Sequence, residues 1–149
     1  MTDKTLNITN RKASFEYHIL QKYTAGIQLR GTEIKSVREG NVNISDGYCF
    51  FSGNELFVNN VNIGPYLKGT HGNHEMLRSR KLLLKKVELR KLLSKMKETG
   101  VAIVPIRIFM SESGYAKLEI ALAKGKKLYD KRESIKERDI KRSMMRENS

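Results

Sequence analysis

Three residues with recognised chemistry stand close together near the middle of the chain. His71, His74 and Glu75 form the pattern His-x-x-His-Glu. Two imidazoles and a carboxylate are zinc ligands, but zinc sites are built on rigid elements and usually need a further ligand. The surrounding residues are rich in glycine and asparagine and include no third histidine or cysteine. We therefore expect a surface loop here, without a metal ion or other cofactor.

The lone cysteine, Cys49, is the other candidate for chemistry. With a distant histidine as its base it could act as the nucleophile of a hydrolase. It stands between Tyr48 and Phe50 in a strand-like run, where a small buried residue is the simpler interpretation. Glu33 and Glu39 lie among lysines and arginines, which predicts ion pairs on a helix surface instead of a pair of catalytic carboxylates. No catalytic residue is predicted, and the chain is not expected to be an enzyme.

Positive charge is concentrated in two segments. The 149 residues carry a net charge of +13; residues 78–98 hold nine Lys and Arg against two acids, and residues 124–149 hold ten against five. This charge favours a phosphate-rich partner, with an anionic membrane surface as the competing explanation. No run approaches the roughly 18 apolar residues of a membrane span, and no apolar signal core follows Met1. A cytoplasmic protein without a membrane partner is expected.

The first basic segment begins with Arg78, Arg80 and Lys81. We expect them at the start of a long helix, where outward-pointing backbone N–H groups also attract phosphate. A solvated helix face is the alternative. The excess of cations favours binding, because their mutual repulsion is otherwise uncompensated.

The elements that would position these side chains are mostly strands. A period of two predicts three pairs: residues 15–19 and 25–29, linked tightly at 23–24; residues 47–52 and 55–63; and residues 104–108 and 117–122. A short helix is predicted for residues 31–40 and the long one within residues 80–98. Pro105 predicts an edge strand or an irregular strand start. Residues 64–75 are predicted to be a connecting loop.

This order of elements predicts a mainly β fold with helices. We expect a flexible N-terminus in residues 1–10, a six-stranded antiparallel oligonucleotide-binding (OB-like) barrel in residues 11–123, and a basic C-terminal tail in residues 124–149. An open antiparallel sheet with helices on one side is the alternative. The tail has too little apolar surface to fold alone and is expected to become helical when bound.

Several strings of the sequence occur in an order that resembles a known family. They are GTEIKSVREG at 31–40, NISD at 43–46, RSRKLLL at 78–84, LEIALAKGKK at 118–127 and DKR at 130–132. Together they resemble small protein B, the tmRNA-binding (SsrA-binding) protein family, over about residues 8–142. The resemblance implies the six-stranded barrel. It also implies a function in trans-translation: binding the tRNA-like domain of tmRNA and helping elongation factor Tu deliver alanyl-tmRNA to stalled ribosomes.

The resemblance further implies residue roles. Leu83 and Lys117 match family positions implicated in tmRNA binding, and Thr24 replaces a glutamate that many members have. The predicted tmRNA-binding set is Thr24, Arg78, Arg80, Lys81, Leu83 and Lys117. The predicted ribosome-binding set, matching a tail motif that probes the decoding centre and the empty mRNA channel, is Lys126, Lys127, Tyr129, Asp130, Lys131 and Arg132.

Tyr129 stands among cations, so it could stack on an unpaired base while they hold the backbone; by resemblance the base belongs to small-subunit rRNA. Packing of Tyr129 back onto the barrel is the alternative. A monomer is expected. A ribosomal or general single-strand-binding protein is the competing class, and it predicts strongly salt-dependent RNA binding with no preference for tmRNA.

Overall fold

Antiparallel strands make up most of the fold. The structure is a computed structural model that describes residues 6–67 and 72–126. Its strands are β1 (Asn7–Thr9), β2 (Tyr17–Ile27), β3 (Val42–Asn43), β4 (Tyr48–Ser52), β5 (Glu55–Asn59), β6 (Asn62–Ile63), β7 (Arg80–Leu83), β8 (Val101–Met110) and β9 (Ala116–Gly125). The helices are α1 (Arg11–Glu16), α2 (Gly31–Arg38) and α3 (Lys86–Lys95). The mainly β class, the short helix α2 and the pairing of β4 with β5 are thereby confirmed.

The strand pairings form a closed circuit. β8 pairs with β4, β4 with β5, β5 with β7, β7 with β2, β2 with β9, and β9 with β8, all antiparallel. β1 adds to β8, and β3 pairs with β6 in a separate small sheet. Because the circuit returns to β8, each of its six strands has hydrogen-bonded neighbours on both sides.

Alternate residues of these strands fill a single main core. Leu56, Val58, Ile103, Leu118 and Ile120 have no exposed surface. Leu92 of α3 is also fully buried in this cluster, so one apolar face of the helix covers part of the core while its cations remain outside. A smaller cluster beneath α1 contains Ala13, Val104 and Ala123.

The N-terminal part of the chain differs from the prediction in two ways. β2 is one strand, not two, and Tyr23 and Thr24 are paired with Ile120 and Glu119 of β9 where a turn was predicted. The pairing of β2 with β9 is irregular elsewhere, because its register shifts between Ile19 and Gln21.

Residues 7–10, predicted to be flexible, are ordered by contacts with β8. Asn7 to Thr9 pair with residues 107–109. The Asn10 side chain is buried: its Oδ1 accepts from the Ala13 N–H and caps α1, while its Nδ2 donates to the Pro105 carbonyl at 2.9 Å. Phe15, predicted to start a strand, lies in α1.

The predicted long helix is two elements. Arg80–Leu83 form β7, whose Arg80 and Leu82 point inward, and the helix starts only at Lys86. The Glu88 carboxylate accepts from the Lys85 N–H at 3.1 Å, and this contact marks the helix start. A run of leucines fits both periods, so the pattern alone did not separate strand from helix.

Two smaller predictions concern strand regularity and membrane spans. Pro105 was predicted to lie on an edge strand or at an irregular strand start, and this prediction is wrong. Pro105 lies inside β8, which has neighbouring strands on both sides, and the register with β9 shifts between Pro105 and Arg107. Within the described residues, no helix is long and apolar enough to cross a membrane.

Candidate nucleic-acid interface

A shallow pocket on the outside of the sheet brings together three of the residues predicted to bind tmRNA. Gly26 of β2 pairs with Leu83 of β7 on one side and with Lys117 of β9 on the other. Thr24 lies two residues along β2 and therefore faces the same side of the sheet. The residues lining the pocket are Thr24, Gly26, Leu83, Leu84, Lys85, Glu88 and Lys117.

The pocket offers apolar and cationic contacts side by side. Leu83, the last residue of β7, is 47% exposed. The Lys117 side chain is half-buried and has no hydrogen bond or ion pair within the described part of the chain. Its ammonium group is therefore available to a phosphate, next to an aliphatic surface that can contact a ribose or a base.

Gly26 keeps the pocket open. A Cβ at this position would lie 3.4 Å from the Leu83 Cβ, so a larger residue would press against Leu83 and fill the space between β7 and β9. Gly26, Leu84, Lys85 and Glu88 were not predicted. The sequence carried a signal for Gly26, because a glycine between two apolar residues of a strand often marks a close approach of a ligand or another backbone.

Arg80, predicted to contact RNA, is instead part of a buried ion-pair cluster. Its side chain and that of Glu33 have no exposed surface, and Nε of Arg80 donates to Oε2 of Glu33 at 2.5 Å. Nη1 of Arg80 donates to the Val61 carbonyl at 2.8 Å, and Nη2 to the Met76 carbonyl at 3.2 Å. Arg80 therefore cannot reach a ligand on the surface in this structure, because its donors are directed into the protein.

Glu33 was predicted to form an ion pair on the helix surface, and this prediction is wrong. Its second oxygen accepts from Nη2 of Arg78 at 2.6 Å and from the Arg30 N–H at 2.7 Å. Burial acts to raise the pKa of Glu33, but the hydrogen bonds from Arg78, Arg30 and Arg80 outweigh it and hold the pKa below its usual value. For Arg80, burial lowers the pKa of the guanidinium, and Glu33 opposes that effect.

The other two predicted cations of this segment lie outside the core. The Arg78 side chain is 26% exposed while it bonds Glu33. Lys81 faces outward on β7, two residues before Leu83, and forms an ion pair with Glu55 at 3.1 Å. Lys81 therefore lies on the same face of the sheet as the pocket. A phosphate that binds Lys81 would have to displace the Glu55 carboxylate from it.

The residues considered for metal binding or nucleophilic chemistry have structural contacts. His74 is buried; its Nδ1 lies 2.9 Å from the Thr32 hydroxyl and its Nε2 lies 2.8 Å from the Ile63 carbonyl. Both ring nitrogens are therefore engaged within the protein. His71 lies outside the described residues, and no group of three metal-ligating side chains occurs among those described. Cys49 is buried, and burial raises the pKa of its thiol, which disfavours the reactive thiolate.

The start of the basic tail contacts α1. Nζ of Lys126 donates to the Ser14 carbonyl at 2.8 Å, close to the pairing of Tyr17 with Gly125. The remaining predicted ribosome-binding residues lie outside the described residues; they are Lys127, Tyr129, Asp130, Lys131 and Arg132.

Comparisons with known proteins agree over nearly the whole chain. The sequence model of the SmpB protein family matches residues 7–149. An SsrA-binding protein of Cytophaga hutchinsonii is 57% identical over 143 residues, which cover 96% of this chain and 94% of that protein. One of Christiangramia forsetii is 54% identical over 142 residues, covering 95% and 90%. A solved chain described as "tmRNA-SmpB: a journey to the center of the bacterial ribosome" has a TM-score of 0.69 and 45% identity, covering 80% of this chain and 84% of that one.

Proposed function

This chain belongs to the SmpB protein family, and from that membership we propose that it recognises the tRNA-like domain of tmRNA through the pocket around Thr24, Leu83 and Lys117. It binds tmRNA and acts in trans-translation on the ribosome. It contributes shape and charge to this process and carries out no bond-making step of its own.

The observation that carries the proposed site is the alignment of Leu83, Gly26 and Lys117 across three strands. An exposed leucine beside a lysine that has no partner among the described residues suits a folded RNA, which presents sugar edges and phosphates together. Thr24 supplies a hydroxyl where many relatives have a carboxylate. A hydroxyl can both donate and accept and does not repel phosphate, so the contact made there is expected to differ in this chain.

The closed circuit of six strands supports describing the fold as an OB-like barrel, with residues 11–123 as the tmRNA-binding domain. The basic residues 124–149 then form a ribosome-binding tail that becomes helical when bound. The tail probes the decoding centre and the empty mRNA channel while elongation factor Tu delivers the alanyl-tmRNA. The protein acts in the cytoplasm as a monomer.

A binding comparison at near-physiological salt tests the proposed function. The purified full chain should bind the tRNA-like domain of tmRNA more tightly than an unrelated structured RNA of the same length. Equal affinity for the two RNAs would refute the proposal and favour a general RNA-binding protein.

A further inference from the structure

A second groove lies beside α3. Its lining residues are Asn54, Lys86, Leu89, Arg90 and Leu93, and its volume is about 420 Å³. Asn54 comes from the turn between β4 and β5, and the other four come from α3. Leu89 and Leu93 are partly buried, whereas both cations are exposed. The groove thus has an aliphatic floor, two cations on one wall and an amide on the other.

The two cations of this groove have no countercharge among its lining residues. Lys86 and Arg90 are four residues apart on one helix, so their charged groups are neighbours and repel each other. Neither side chain forms an ion pair or hydrogen bond within residues 6–67 and 72–126, and no carboxylate lines the groove. Lys81 and Lys95, by contrast, each have a glutamate within reach. An anion bound between Lys86 and Arg90 would relieve the repulsion.

We propose that this groove binds the sugar-phosphate backbone of RNA, with Lys86 and Arg90 holding a phosphate, Leu89 and Leu93 contacting the sugar or base, and Asn54 donating to a nucleotide oxygen. The volume suits one nucleotide unit. The leucines lie on the floor of the groove, so a flat lipid surface could contact the cations without covering the apolar floor. An extended nucleotide chain can reach both.

The groove continues the surface of the proposed tmRNA-binding pocket, so this inference rests on the proposed function. Lys85 and Glu88 line the first pocket, while Lys86 and Leu89 line the groove. The two sites therefore share the first turn of α3 and lie on adjacent sides of it. One continuous RNA could contact both sites. The RNA in the groove is therefore tmRNA, continuous with the part held in the first pocket, and binding of ribosomal RNA there instead would contradict this assignment.

Paired substitutions on the same helix test the groove. Lys86→Gln with Arg90→Gln removes its two cations, and Lys91→Gln with Lys95→Gln removes two cations at the same spacing from the opposite side of α3. Affinity would be measured over a salt series for the tRNA-like domain and, separately, for ribosomes; anionic phosphatidylglycerol vesicles serve as the non-RNA control. Loss of the one phosphate contact that Lys86 and Arg90 share should lower the magnitude of the salt slope by about 0.7 to 0.9. We expect this for the groove variant with the tRNA-like domain, and a clearly smaller change for the control variant. A reduced slope with ribosomes alone would overturn the assignment to tmRNA.

Equal effects of the two variants in both arms would overturn the site, because diffuse attraction alone would explain the binding. So would an unchanged groove variant, or a groove variant that lost affinity only for anionic phosphatidylglycerol vesicles. Failure of the proposed function is a separate result: the unmodified protein would then show no preference for tmRNA. Thermal unfolding followed by circular dichroism would verify that both exposed variants remain folded.

A tethered cleavage reagent locates the RNA directly. Cys49 is the single cysteine of the sequence and is buried, so an Asn54→Cys variant offers one accessible thiol. An iron chelate attached there should cut the tRNA-like domain at a few adjacent nucleotides, whereas cutting of ribosomal RNA alone would contradict the assignment to tmRNA. The same reagent on a Ser94→Cys variant, placed outside the groove on α3, should cut elsewhere or not at all. Identical cleavage from both positions would contradict the proposal.

Discussion

Nε of Arg80 donates to Oε2 of Glu33 at 2.5 Å, and neither side chain has any exposed surface. This pair joins α2 to β7, the strand that presents Leu83 on its other face. Because Arg80 and Leu83 are three residues apart on the same short strand, a displaced Arg80 would move the proposed tmRNA-binding pocket. The buried ion pair therefore positions Leu83 without forming part of the pocket surface.

Glu33→Gln is expected to destabilise the protein by roughly 3–5 kcal/mol, because it leaves the Arg80 guanidinium buried without a countercharge. The measurement is the free energy of unfolding from urea titration. Glu112→Gln makes the same chemical change at an exposed position and should shift the free energy by less than about 0.5 kcal/mol. If both variants lose equal stability, the buried ion pair of Glu33 with Arg80 does not stabilise the fold in this way.

Stability should also fall in acid through Glu33. The folded-state pKa of Glu33 lies below its unfolded value of about 4.3, so the carboxylate contributes stability that is fully present above pH 4.3. As the pH falls, Glu33 of the unfolded chain is protonated first, and the stability contributed by the Glu33 carboxylate begins to decrease. This contribution is lost once the pH has passed below the folded-state pKa of Glu33. The difference in unfolding free energy between the unmodified protein and Glu33→Gln should therefore shrink below about pH 4.3. A constant difference from pH 6 to pH 3 would contradict this origin of the stability.

The buried position of Arg80 could not be predicted from the sequence. The string from Arg78 to Leu84 has apolar residues compatible with both a strand and a helix, and only the pairing of β7 with β5 and β2 decides between them. A sequence shows that Arg80 is charged, but not that a glutamate 47 residues earlier lies buried beside it. Local signals were sufficient for α2 and for the β4–β5 turn, whose residues are close in sequence. The alignment of Leu83 with Gly26 and Lys117 depends on long-range register, and here family resemblance supplied two of the three residues.

Gly26→Val should separate stability from binding. Valine is a favourable strand residue, so the unfolding free energy should change by no more than about 1 kcal/mol. Its side chain would press on Leu83 and fill the pocket, so the affinity for the tRNA-like domain of tmRNA should fall roughly tenfold, or about 1.4 kcal/mol. Fluorescence anisotropy measures the affinity. Gly125→Val is the control, since nothing lies within 4 Å of its added Cβ; a tenfold loss there as well would show that the pocket is not the cause.

Lys117→Gln should weaken tmRNA binding and lower the magnitude of the salt slope by about 0.7 to 0.9, the value for one phosphate contact. The expectation follows from the free ammonium group of Lys117 beside Leu83, within the described part of the chain. Lys97→Gln removes one exposed cation away from the pocket and should leave the slope nearly unchanged. Equal slopes for the unmodified protein and Lys117→Gln would mean that this lysine does not neutralise a phosphate.

Truncation after Lys126 should separate the two functions proposed for the chain. The pocket at Leu83 and the bond between Lys126 and Ser14 are both retained, so the affinity for the tRNA-like domain should stay within about threefold, or roughly 0.7 kcal/mol, of the full chain. Rescue of stalled ribosomes in a reconstituted translation assay should be lost, because the cations proposed to enter the mRNA channel are removed.

The single variant Tyr129→Ala refines this test, since it keeps every tail cation and removes only the proposed stacking ring. Stacking is worth about 1–3 kcal/mol per base, so tagging of stalled peptides should slow by roughly 5- to 150-fold, while Tyr129→Phe, which keeps the ring, should remain near the unmodified rate. Normal tagging by Tyr129→Ala would eliminate stacking as the role of this residue. Loss of tmRNA affinity in the truncated chain would show instead that tail and sheet bind the RNA together, because the pocket alone would then be insufficient.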